Sequence, residues 1–218
     1  MTLMKSVVVA DGSVLLDTTE RITAAMLPAI KAYRFNGQPV AGILRYVSLY
    51  QVNENYDISP DESQLIVDNF QYFGLVQHCL RAQTGKSTWT ASPQLGALKG
   101  LTAKGHADLV LYPDDSMLAY DDEDVSGDII GEINAWAANV GRPSLVYTGY
   151  APGMTEQELY DALPDVHAYW GAAGAWDVAV RGVCMRQHQT VVIGGVGFDP
   201  NIASADKLGG RAVLATAA

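Results

Sequence analysis

At 218 residues and a formal charge of −10, the chain is long enough for one sizeable core and too acidic for a nucleic-acid partner, which needs a surplus of Lys and Arg on one face. Hydrophobic residues at 49%, charged residues at 17% and a mean hydropathy of +0.06 exclude a disordered chain and a membrane-embedded one. The opening "MTLMKSVVVADG" carries one lysine and an apolar run too short for the core of a signal peptide, so the expectation is a protein made in the cytoplasm with no membrane partner.

Short β-rich runs alternate with longer helix-compatible ones, the pattern of a parallel sheet with helical crossovers. In chain order, the first strand is expected at 14–17 ("VLLD"), followed by the helical segment "TTERITAAMLPAIKAYR". A strand at 40–49 leads to "SPDESQLIVDNFQYF", and one at 73–80 to "SPQLGALKGLTAKG". The fourth strand is expected at 107–113 ("ADLVLYP"), then "DVSGDIIGEINAWAANVG", a strand at 142–150 and "TEQELYDALP". Strands at 166–172, 182–188 and 196–199 complete the series, with short and poorly helical connections. Apolar residues recur at three and four in the helical segments, and the "SPDE" and "TEQE" openings supply capping oxygens.

Eight strands with helices between them form either a closed barrel or an open doubly wound sheet. No "GxGxxG" or "GxxxxGK[ST]" follows any strand, which removes the main reason to prefer an open nucleotide-binding sheet. The expectation is a compact (β/α)8 TIM barrel filling 1–218 as a single domain, with short or irregular helices in the last third.

In such a barrel the active face collects the C-terminal ends of the strands, and these ends are polar. Asp17 follows "VLL"; Arg45, Tyr46 and Ser48 end strand two; Gln77 and His78 lie on strand three; Asp114 and Asp115 follow "LVLYP". Tyr147 and Tyr150 end strand five, Trp170 ends strand six, Gln187 and His188 end strand seven, and Asp199 ends strand eight. Carboxylates around an aromatic mouth suit glycoside cleavage, where one acid protonates the leaving oxygen and a second acts as nucleophile or base, while aromatic faces stack on sugar rings. Strands one and eight are neighbours in a closed barrel, so Asp17 and Asp199 are expected side by side, one with a raised pKa. Asp17 and Asp115 have an alternative role as caps of the helices that follow them; no clean helix follows Asp199.

The run "DDSMLAYDDEDVSGD", from Asp114 to Asp128, lacks the glycine and terminal glutamate of a calcium loop and reads as a solvated acidic helix entry. His78, His106, His167 and His188 show no paired metal spacing, and no metal or cofactor is expected. Cys79 and Cys184 each sit in an apolar run and read as reduced core thiols. No "GxSxG" elbow supports a serine hydrolase. Nothing in the sequence marks an oligomer interface.

Taken together, "LLDTTERITAAMLPAIKA", "GILRYVSL", "ISPDESQLIVDNFQYFGLVQHCL" and "GVGFDPNIASADKLGG" resemble the glycoside-hydrolase-like barrel family of unknown function. That family is distantly similar to lysozymes of the N,O-diacetylmuramidase type, and the resemblance covers nearly the whole chain. It matches Asp17 to the Asp that ends strand one and Arg45 with Tyr46 to the pair that ends strand two. Glu62 falls at the acidic start of the second helix, and Asp199 with Asn201 at the "D-x-N" of strand eight. The resemblance implies a peptidoglycan-like glycan as partner. Muramidases of this kind carry D-x-E at the end of strand four, and their glycoside-hydrolase-like relatives commonly D-x-D. The chain departs from this with adjacent Asp114 and Asp115, of which a regular strand turns only one inward.

Two functions follow. The first is a glycosidase acting on a bacterial cell-wall glycan in a phage or effector context, using Asp114 or Asp115 with Asp17 or Asp199. Arg45, Tyr46, Glu62, Gln77, Tyr147, Trp170, Gln187 and Asn201 then contact the glycan. The second is a barrel that binds glycan without cutting it, or a structural part of a larger particle such as a phage.

Overall fold

The computed structural model describes residues 2–47, 57–78, 91–121, 125–149, 153–175 and 177–218. The elements in chain order are β1 (Met4–Val8), β2 (Val14–Thr18), α1 (Leu27–Ala32), β3 (Arg34–Phe35), β4 (Gln38–Val47), α2 (Pro60–Val67), β5 (Tyr72–His78) and α3 (Pro93–Leu109). They continue with β6 (Leu118–Asp121), α4 (Ile130–Asn139), β7 (Ser144–Tyr147), α5 (Glu156–Ala162), β8 (Ala168–Ala172), β9 (Met185–Gln187), β10 (Val191–Ile193), β11 (Val196–Ala203) and β12 (Val213–Ala217). Eight strands close a ring in the order β5-β6-β7-β8-β9-β11-β2-β4, with β4 pairing back onto β5.

Seven of the eight run parallel; β11 is antiparallel to both of its neighbours, β9 and β2. The eighth strand therefore departs from the all-parallel expectation. Helices α1 to α5 each fall in chain between successive parallel strands, and among the described residues no helix follows β8. A parallel neighbour requires the chain to return through a long crossover, whereas an antiparallel one does not. The ring thus closes after β9 without another helix. Outside the ring, β1 pairs with β12, β3 with β4, and β10 with β11, all antiparallel.

Alternation along each strand separates two apolar layers. Leu15, Leu44, Val76, Leu145, Trp170 and Met185 fill the barrel interior. Leu16, Ile43, Phe73, Leu118, Val146 and Tyr169 face outward and pack under the helices. In that outer layer α3 lies close enough to α4 that a Cβ on Gly96 would collide with the Glu132 carbonyl. The buried ammonium of Lys99 pairs with Glu132, which also accepts from the Tyr120 hydroxyl at 2.7 Å.

The expected fourth strand at 107–113 is a correction. Ser92 caps α3, accepting from Leu95 N at 3.1 Å, and Pro93 stands at its first turn. Gly96, Lys99, Gly100, Ala103 and Ala107 carry one buried stripe along it, which Val110 continues, while Leu109 and Leu111 are exposed. The three-and-four spacing carries the helix into the run read as a strand as far as Leu109, and the remainder, 110–113, is a turn rather than a strand. The fourth parallel strand is "LAYD", Leu118–Asp121.

Candidate functional site

The C-terminal ends of the parallel strands and the first half of β11 meet at one mouth. Asp17 of β2 stands directly opposite Asp199 in the β11 register, so the expected neighbours do meet. Asp199 does not end its strand, however: β11 enters the mouth from the other direction and continues to Ala203.

Asp17 is 2% exposed and holds the centre of a polar network. Its Oδ2 accepts from Asn201 Nδ2 at 2.6 Å and from Gln187 Nε2 at 3.1 Å. Its Oδ1 lies 3.2 Å from the Tyr46 hydroxyl, which donates to Asp121 Oδ2 at 2.8 Å. Trp170 Nε1 donates to Asn201 Oδ1 at 2.8 Å, and Asn201 Nδ2 also donates to the Asp199 carbonyl at 2.9 Å. Side chains from β2, β4, β6, β8, β9 and β11 thus meet in one cluster.

Burial first, and then the charge of Asp199, push the Asp17 carboxyl up to about 8, against the lowering effect of the Asn201 and Gln187 amides. Asp17 is therefore a neutral acid at pH 7. Burial and the two carboxylates hold the Tyr46 phenol well above its ordinary value, so it keeps its hydrogen. Asp199 is half-buried and raised by burial, with the Thr190 hydroxyl opposing. Its Oδ1 has no hydrogen-bond partner among the described residues. Beside it opens a cavity of about 460 Å³ lined by Ala172, Ala173, Gln187, His188, Thr190 and Asp199. Burial lowers the His188 pKa, which favours a neutral imidazole. Among the described residues no group of His, Cys, Asp and Glu could hold a metal ion, and no helix is long and apolar enough to cross a membrane.

Several expected site residues lie elsewhere. Asp114 and Asp115 are exposed and precede β6, so they stand at the end of the barrel opposite the mouth; Asp114 pairs with Arg142 at 2.9 Å. Substituting either with Asn is expected to change stability by no more than about 0.5 kcal/mol in a denaturant titration, because both carboxylates face water and Arg142 keeps its second partner, Asp108, at 2.8 Å. Activity should likewise be untouched. Arg45 and Gln77 are a second correction: each occupies the outward position of its strand, one residue past an inward one, and both are fully buried behind the wall.

Glu62 meets Arg45 there. Ser59 caps α2, accepting from Glu62 N at 3.2 Å, and the Glu62 carboxylate accepts from Arg45 Nε at 2.6 Å and Ile22 N at 2.7 Å. Arg45 Nη1 in turn donates to the Thr18 carbonyl at 2.9 Å. This ion pair locks α2 and the segment after β2 against β4, holding the strand end that carries Asp17. Glu62→Gln strands a buried guanidinium and is expected to cost about 3–5 kcal/mol in urea unfolding, with the far-ultraviolet spectrum of the folded state kept.

Trp170 is fully buried, and Tyr147, 5% exposed, packs on it with ring centroids 4.8 Å apart. Neither presents an open face for stacking on a sugar; Trp170 acts as the donor that orients Asn201. Asp121 is the site residue that sequence reasoning missed. It was absorbed into an acidic run, although "LAY" before it is a strand-like signal. Asp122, Glu123 and Asp124 lie outside the described residues, as do Ser48, Cys79, Tyr150 and the His78 side chain. Cys184 is a buried free thiol, pushed up to about 12 by burial.

No family model matches the sequence, and no curated protein matches it. Among solved structures the chain is similar to the Tat-secreted protein Rv2525c of Mycobacterium tuberculosis, crystallised in complex with L-tartrate. The two are 16% identical with a TM-score of 0.65, over 88% of this chain and 96% of that one. At this identity the likeness is one of fold.

Proposed function

We propose that the chain is a glycoside-hydrolase-like barrel of the TIM type, whose mouth cleaves a bacterial cell-wall glycan. The observation that carries this reading is the pairing of a neutral, buried Asp17 with Asp121 through one phenol. Glycosidic cleavage needs one carboxyl protonated and another charged at the same pH, and different environments are what separate them.

The move of the fourth strand supports the same reading. The resemblance asks for D-x-E where strand four ends; that strand ends at Asp121, and the sequence two positions on is Glu123. In this proposal Glu123 is the general acid. Asp121 stabilises the charge that develops on the sugar, the neutral Asp17 holds Asp121 through Tyr46, and Asp199 with the adjoining cavity receives the glycan. The glycan lies outside the cell, so the proposal includes release of the chain by lysis or as part of a particle or effector.

One observation favours a structural barrel that does not cut: both mouth aromatics, Trp170 and Tyr147, are buried rather than offered to a sugar face. Release of new reducing ends from purified peptidoglycan and from chitin-type oligosaccharides separates the two readings. Release that vanishes in Glu123→Gln supports the glycosidase. A folded wild-type protein that releases none from either substrate supports the second reading.

A further inference from the structure

The hydrogen bonds of the mouth have a direction. An indole N–H can only donate, so Asn201 Oδ1 must accept from Trp170, and the Asn201 amide nitrogen is thereby turned toward Asp17 Oδ2. Gln187 donates to the same oxygen. Oδ2 of Asp17 is thus the accepting oxygen, and Oδ1 is the one that meets Tyr46. A phenol owns a single hydrogen, and the shorter contact, 2.8 Å to Asp121, takes it. With the phenol hydrogen on the shorter contact, the 3.2 Å contact between Asp17 and Tyr46 is strongest when Asp17 Oδ1 carries a hydrogen and donates it to the phenol oxygen.

We propose that Asp17, Tyr46 and Asp121 form a one-proton relay, in which the proton rests on Asp17 and crosses to Asp121 through the Tyr46 hydroxyl. In the crossing, the Asp17 Oδ1–H bond breaks as its proton joins the Tyr46 oxygen, and the phenol's own proton leaves for Asp121 Oδ2. Asp17 becomes a carboxylate, Asp121 a carboxylic acid, and Tyr46 ends as it began. No electrons are exchanged and no co-reactant is required. The return step runs the same bonds backward.

Tyr46 is a positioning residue in this scheme, acting through the two carboxyls. Among the described residues the titratable groups facing Asp17 are Tyr46 from β4, Asp121 from β6 and Asp199 from β11, with the amides of Gln187 and Asn201 covering its other oxygen. Burial and the Asp199 charge keep the proton on Asp17 at rest. Neutralising Asp121 on demand is what the relay adds, and its use in glycan cleavage rests on the function proposed above.

The relay is tested without any substrate, by carbon-13 NMR of protein labelled at its aspartate carboxyls and titrated with pH. Asp17→Asn and Asp121→Asn identify the two signals. In the wild type the Asp17 signal is expected to titrate near 8, and the Asp121 signal to shift at the same pH because the two carboxyls share the Tyr46 hydroxyl. In Tyr46→Phe the Asp121 signal should no longer follow the Asp17 step. An Asp17 signal that titrates in the ordinary carboxylate range, or a Tyr46→Phe protein with both curves unchanged, overturns the relay. Should Tyr46→Phe fail to fold, the joint step in the wild type decides by itself. Where glycan cleavage is measurable, Tyr46→Phe should lose at least about tenfold in kcat with KM held within about twofold, and the alkaline limb of the pH profile should move. Absence of cleavage would overturn the glycosidase reading alone, since the carboxyl titration stands apart from it.

Discussion

Asp17→Asn is expected to make the protein more stable at pH 8 by several kcal/mol while leaving its stability near pH 4 almost unchanged. In the unfolded chain Asp17 loses its proton near its ordinary value of 3.8, whereas in the folded protein it keeps the proton to about 8. Between those values the folded state binds more protons than the unfolded state, so stability falls as pH rises through that window, by about 1.4 kcal/mol per pH unit from this group. Below the window both states are protonated and the group contributes no slope; above it both are ionised and the loss is complete.

The asparagine reproduces the neutral acid. Its carbonyl oxygen accepts from Asn201 and Gln187, and its amide nitrogen donates to Tyr46 as the Asp17 hydroxyl does. At about 2–4 °C per kcal/mol for a chain of this size, the melting temperature at pH 8 should rise by roughly 10 °C over the wild type. Melting both proteins at several pH values isolates the term, because every other group cancels in the difference. A variant that melts below the wild type at all pH values above 5 would show that Asp17 is ionised and held by charge-assisted bonds.

The second large effect falls on chemistry. Glu123→Gln and Asp121→Asn are each expected to lower kcat for glycan cleavage by about 10²–10⁴, the range associated with removing a positioned proton donor or acceptor. Asp114→Asn should leave it unchanged, because that side chain stands at the far end of the barrel. Single-turnover release of reducing ends, on proteins matched for melting behaviour, reads this directly. Equal losses from Asp114→Asn and Asp121→Asn would place the working end of the barrel on the wrong side.

Much of this architecture was legible along the chain. The alternation of β-rich and helical segments foretold a ring of mostly parallel strands, and the apolar runs ending in Asp17 and Asp199 foretold two carboxyls that meet. The caps at Ser59 and Thr155 were readable because capping joins residues three apart. These are local signals: a periodicity, a cap and a strand end need only neighbouring residues.

The rest depended on partners far away in sequence. The antiparallel entry of β11 is set by which edges remained open after seven strands had paired, and no residue of "GVGFDPN" encodes that direction alone. The apolar run at 107–113 suits a strand or a helix, and the buried stripe of α3 against α4 makes its first part, to Leu109, the end of a helix. Arg45 and Tyr46 are adjacent, yet strand alternation sends one to Glu62 behind the wall and the other to Asp17 inside it. Asn201 reaches Asp17 across 184 positions, and its amide is oriented by Trp170 from a third strand. The residue types at the mouth were visible in the chain; the protonation of Asp17 arises only when the closed barrel excludes water and sets Asp199 and Asp121 beside it.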